Sequence, residues 1–163
     1  MPTRENIEAA LLRTFIEAVQ RRGLMHTMGQ GSSNRVPVKP PRVYFQFGDL
    51  RLELPKCMLL VEVESSGGVT NLAKYWEIIE TCRIEKPVRL LHLFRQKSIN
   101  DYEAHLVIWR FLSEKMKDAL GSRFACALHV YRDGEPASIA PAMETFERWI
   151  DECSSVTGEP AKN

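Results

Sequence analysis

Apolar residues recur along this chain with two different periods, and the change of period marks its elements. Ile7, Leu11, Phe15 and Val19 fall at helical spacing, which predicts an amphipathic helix from Arg4 to about Arg22, closed by Gly23. Leu24 to Arg42 is rich in Gly, Ser and Pro and shows no apolar period, so it reads as a long, flexible surface loop. From Val43 the period becomes two. Val43 to Phe47, Leu50 to Leu54 and Met58 to Glu64 read as three strands, with Pro55-Lys56 as the turn between the last two. Thr70 caps a helix to about Arg83 with Leu72, Trp76 and Ile79 on its stripe. A strand over Val88–Phe94 follows. Next comes a long helix from Asn100 or Asp101, its stripe Tyr102, Leu106, Trp109, Leu112, Met116 and Leu120, closed by Gly121. Phe124–Tyr131 is a further strand, and Met143 to about Glu152 a last helix. The expected fold is α/β (α+β). It has a mixed central sheet in which the first three strands form an antiparallel meander, with helices covering the sheet. One domain over 1–152 and a polar tail over 153–163 account for the whole chain.

The alternation also assigns faces. A symmetric turn at Pro55-Lys56 sets Leu54 opposite Cys57 and Asp49 opposite Glu62. One face then carries Leu50, Leu52, Leu54, Cys57, Leu59, Val61 and Val63, with no polar member. The other carries Phe47, Asp49, Arg51, Glu53, Met58, Leu60, Glu62 and Glu64. Opposed residues have Cβ atoms about 4.5–5.5 Å apart, so three carboxylates converge there. Such acids raise one another's pKa unless a cation answers them. Arg51 answers part of that charge. A hard divalent ion, Mg²⁺ or Mn²⁺, answers more. The competing reading is a solvated ladder of surface charges. The position of the acids at the end of the most apolar strand, before a small-residue loop and a helix start, favours the metal site.

Composition narrows the field. The chain has 163 residues, 44% hydrophobic and 26% charged, with a net charge of +1, so any affinity for nucleic acid must come from a local patch. No acidic residue lies between Glu17 and Asp49, whereas Arg21, Arg22, Arg35, Lys39 and Arg42 do. This basic stretch is the candidate phosphate-contacting segment. The four cysteines, Cys57, Cys82, Cys126 and Cys153, have no Cys-x-x-Cys spacing and suggest neither a zinc site nor a disulfide framework. A reducing, cytoplasmic setting without membrane association is the matching expectation.

Asp49, then Glu62-Val63-Glu64 near the end of an apolar strand, then a helix, resembles the PD-(D/E)XK, or restriction-endonuclease-like, superfamily. The element order from Arg4 to Phe94 resembles that family's core. The resemblance implies a nuclease: Mg²⁺-dependent hydrolysis of phosphodiester bonds, usually in DNA. Asp49 would be the metal-binding aspartate of the second strand and Glu62 the acid of the third. Glu64 stands where most members have lysine, as in members with a Glu-x-Glu form, where the second glutamate is a ligand or base. Gly48 replaces the motif's proline. Lys74 is the candidate displaced lysine, against its alternative as a solvated helix residue. Glu8, beside the first helix's apolar stripe, is the candidate helix ligand. A member that has lost catalysis and serves as a binding or assembly module is the alternative. The long helix also offers a surface for a homodimer.

Overall fold

The computed structural model describes residues 4–29, 34–38, 43–64, 70–82, 84–96 and 99–155. The expected loop over Ser65–Val69, Lys39, Arg42 and the tail beyond Ser155 lie outside them. Helix α1 (Arg4–Arg21) is followed by the short strand β1 (Thr27–Met28), β2 (Arg35–Val38), β3 (Val43–Gln46), β4 (Leu50–Glu53) and β5 (Met58–Glu64). Then come α2 (Thr70–Thr81), β6 (Val88–Arg95), α3 (Ile99–Leu120), β7 (Phe124–Tyr131) and α4 (Ala140–Ser154). The mixed α/β fold is built on a five-stranded sheet in the order β1-β4-β5-β6-β7, beside a two-stranded sheet of β2 and β3. β1, β4 and β5 are antiparallel, and β5, β6 and β7 are parallel. The parallel steps each need a crossover helix, which α2 and α3 supply.

The two faces of β4 and β5 divide as strict alternation requires. Leu50, Leu52, Leu54, Leu59, Val61 and Val63 pack with Phe15, Ala18 and Val19 of α1 and with Phe146, Trp149 and Ile150 of α4. Leu60 and Phe47 pack on the other side with Leu72, Tyr75 and Ile78 of α2 and with Trp109 and Met116 of α3. The result is three layers with one apolar core on each side of the sheet. No helix among the described residues is long and apolar enough to cross a membrane.

Three expectations are corrected. Val43–Phe47 does not lie in the central sheet: β3 pairs with β2 instead, Val36 opposite Phe45. The meander's first strand is Thr27–Met28, Thr27 opposite Arg51, so the 24–42 stretch carries two strands rather than none. The chain turns away between β3 and β4 because Gly48 sits at φ +84°, and a Cβ there would lie 2.9 Å from the Leu50 carbonyl oxygen. Only glycine takes that conformation without strain. Finally, Cys57 and Cys153 form a disulfide, with Cα atoms 5.7 Å apart and a sequence separation of 96. It ties the β4–β5 turn to the last turn of α4, which runs to Ser154. Cys82 and Cys126 lie outside the disulfide, and the ground for expecting a reducing compartment is removed.

Candidate active site: a buried carboxylate pair

The β4–β5 ladder pairs Leu50 with Val61 and Glu53 with Met58. Asp49 lies just past the ladder's end, its amide donating to the Val61 carbonyl at 2.9 Å, and its charge acts directly on Glu62. Both acids lie at the C-terminal end of β5, the end of parallel strands where open α/β sheets bind ligands. The surroundings are not those of a solvated ladder. Glu62 is only 5% exposed and Glu64 7%.

Each carboxylate has its own donors. Asp49 Oδ1 accepts from Gln46 Nε2 at 2.7 Å, and Oδ2 accepts from the Val63 amide at 2.8 Å. The side chain thereby continues the ladder past the end of β4, taking the place of a main-chain carbonyl. Glu62 Oε1 accepts from Lys74 Nζ at 3.2 Å, and Oε2 accepts from the Tyr75 hydroxyl. Glu64 Oε1 accepts from Asn71 Nδ2. The loop behind Asp49 is fixed by the buried Asn34, whose Nδ2 donates to the carbonyls of Gly48 at 2.7 Å and Gly29 at 3.0 Å.

These contacts set the electrostatics. Burial lifts the Asp49 carboxyl above its ordinary range, opposed by the Val63 amide, Lys74 and Gln46; the charge of Glu8 adds to the rise. Burial, then the Asp49 charge, pushes Glu62 up to about 7 against the pull of Lys74 and Tyr75. Burial and the neighbouring Glu62 raise the Tyr75 hydroxyl well above its usual value. His92, beside Glu62 in the β5–β6 register, is held down to about 3 by burial and by Lys74. Its Nδ1 accepts from Trp109 Nε1 at 3.0 Å, which makes the neutral ring protonated at Nε2.

Lys74 is 14% exposed as a side chain and reaches the acids, although the Leu72/Trp76/Ile79 stripe would turn it away. The buried face of α2 is instead Leu72, Tyr75, Ile78 and Ile79, with Trp76 only half-buried. That rotation carries Lys74 from the back of the helix to its flank, and a four-carbon stem covers the remaining distance. Arg51 pairs with Glu53 at 3.4 Å. Gln46, Tyr75, Asn71 and Asn34 are contributors that motif reasoning passes over, and nothing in their spacing marks them. They are visible only once β3 and α2 are placed.

The expected three-acid centre is not assembled. Among the described residues no three His, Cys, Asp or Glu side chains form a group able to hold a metal ion. Glu64 is engaged by Asn71 on α2, and Glu8 acts on Asp49 through its charge. What fits a cation is the Asp49–Glu62 pair: two hard oxygen donors with raised proton affinity, which a positive ion would relieve. Mg²⁺ is commonly held by one or two carboxylates with water completing its shell.

The basic candidates separate. Arg21 and Arg22 end α1, about 20 Å along the helix from Glu8, and Arg22 pairs with Asp151 of α4. Neither belongs to this site. Arg35 does approach it, because β2 sets Arg35 opposite Gln46, the donor to Asp49. A cavity of about 250 Å³ lined by Lys56, Cys57, Arg89, Phe124 and Cys153 lies at the opposite pole of the sheet, away from the acids. No family model matches the chain, and neither a curated protein nor a solved structure is found similar to it.

Proposed function

We propose that this chain is a Mg²⁺-dependent nuclease that hydrolyses phosphodiester bonds in DNA. The observation that carries the reading is the buried Asp49–Glu62 pair with Lys74 Nζ 3.2 Å from Glu62 Oε1. An aspartate and a glutamate on adjacent strands, with a lysine beside them, is the side-chain set such hydrolysis uses. Here the lysine arrives from α2 rather than from β5.

The roles follow from the contacts. Asp49 and Glu62 would hold the cation, Mg²⁺ or Mn²⁺. The chemistry it supplies is Lewis-acid polarisation of a phosphate oxygen and activation of water. Tyr75 fixes the orientation of the Glu62 carboxylate. Lys74 is placed to neutralise charge that builds on the phosphate. Glu64, held by Asn71, would serve as a base or a further ligand. Arg35, opposite Gln46, is positioned to meet the phosphate backbone.

One observation favours a second reading. Both oxygens of Glu62 already have protein donors, and Glu64 is not a lysine; a nuclease-fold module that binds or assembles without cutting would tolerate this. Two measurements divide the readings. Calorimetric titration with Mn²⁺ should show binding that Asp49→Ala and Glu62→Ala abolish. Cleavage of single-stranded, duplex and branched DNA with Mg²⁺ should fall by about 100-fold or more in either variant, and in Lys74→Met with metal affinity kept. Metal binding without cleavage of any substrate supports the silent module. Absence of metal binding rejects the metal site itself.

A further inference from the structure

His92 has no role in the hydrolysis outlined above, yet it stands beside the site. It is fully buried and lies in register with Glu62 on the adjacent parallel strand. Its ring meets those of Phe94 and Trp109, which belong to the core shared with Tyr75. That is the face on which Tyr75 reaches Glu62. The two strands run about 4.8 Å apart. His92 Nε2 and the Glu62 carboxylate oxygens are the same number of bonds from their Cα atoms, so the two polar ends can meet at one height above the sheet.

The ring is fixed in one tautomer. Trp109 Nε1–H donates to Nδ1 at 3.0 Å, and an indole can only donate. Nδ1 therefore presents its lone pair, and Nε2 carries the proton. The two nitrogens sit on opposite flanks of an imidazole, so turning Nδ1 to α3 turns Nε2–H away from α3. That N–H is shielded from solvent and finds no acceptor among the described residues. A buried donor without an acceptor is destabilising and rare in folded proteins, and each instance calls for a reason.

The site contains an acceptor with capacity to spare. A carboxylate offers about four lone-pair positions, and Glu62 gives one to Lys74 and one to Tyr75. Lys74 has a second task. Under the nuclease reading, on which this inference rests, its ammonium is drawn to the charge that builds on the phosphate. Glu62 then keeps only Tyr75 and is free to rotate about that bond.

We propose that His92 is a reserve donor for Glu62: when Lys74 leaves for the phosphate, the Glu62 carboxylate turns onto the Nε2–H of His92. His92 is thus a positioning residue, acting through Glu62. A carboxylate that holds a cation depends on outer donors of this kind for its orientation. Trp109 keeps the roles apart. With Nδ1 tied and Nε2 protonated, the ring offers only a proton and does not compete with Glu62 for the cation.

Lys74→Met reproduces the withdrawal in the full chain, without metal or DNA. In magnetic resonance spectra of isotope-labelled histidine, the His92 Nε2 proton of that variant should move downfield, as a proton does on gaining a charged acceptor, while Nδ1 stays unprotonated. The second readout is a double-mutant cycle in urea unfolding with His92→Phe. Phenylalanine orphans the Trp109 N–H with or without Lys74, so that loss cancels. Lys74→Met should lower the folding constant about tenfold more in the His92→Phe background than in the native one. A His92 proton unmoved by Lys74→Met, or additive losses in the cycle, overturns the proposal even where the titration shows the metal bound. Failure of the nuclease reading looks different: the titration then shows no metal binding, and the hand-over, deprived of its trigger, falls with it.

Discussion

Glu62→Gln is expected to be more stable than the native protein at pH 8 in the absence of divalent metal, and inactive. In the folded chain burial and the Asp49 charge hold the Glu62 carboxyl at about 7, against an ordinary 4.5. Below pH 4.5 the group is neutral in both folded and unfolded chains, so its full contribution to stability is present. Between these values the unfolded chain ionises first, and stability is lost as pH rises through the folded pKa. At 1.36 kcal/mol per pKa unit the loss is about 3 kcal/mol, complete by about pH 8. Asp49 is raised in the same direction. Glutamine stays neutral, accepts from Lys74 with its oxygen and donates to the Tyr75 oxygen with its amide, so the packing survives. Urea unfolding from pH 5 to 8.5 in chelator should show wild-type stability falling and the variant's profile flatter. Added Mg²⁺ should then recover the wild type at pH 8 and leave the variant unchanged. A wild-type profile flat across this window, with no gain in Glu62→Gln, would sink the buried-pair electrostatics.

The disulfide gives the other large effect. Cys57 and Cys153 close a loop with a sequence separation of 96 residues. Cross-linking a loop of roughly that length removes unfolded-state entropy worth about 4–5 kcal/mol. For a domain of this size that is about 10–15 °C of Tm. Reduction, or Cys57→Ser with Cys153→Ser, should lower the melting temperature by that order, while Cys82→Ser leaves it in place. Equal melts of oxidised and reduced protein would show that the bond does not restrain the unfolded chain.

The amino-acid pattern carried the centre of this fold and lost its margin. Strict alternation from Leu50 to Leu54, a two-residue turn and the apolar run from Met58 determine register and both faces, because one slip would turn the acids into the all-apolar core against α1 and α4. The margin failed for nonlocal reasons. A two-residue strand at Thr27–Met28 has no period to detect. Val43–Gln46 looks like a neighbour of β4, but the left-handed Gly48 redirects the chain, and its partner is a Pro-containing segment upstream. The pairing of Cys57 with Cys153 leaves no local trace at such separation. At the site, the acids are readable as a pattern. Their donors Gln46, Tyr75 and Asn71 are not, since each depends on how one element is rotated against another.

Asp49 has a second consequence through its grip on the Val63 amide at 2.8 Å. That proton's partner is a side chain rather than a neighbouring strand's carbonyl. If the proposed ion binds and draws the carboxylate toward itself, the amide loosens, and the exchange of this one hydrogen with solvent should report whether the ion is present.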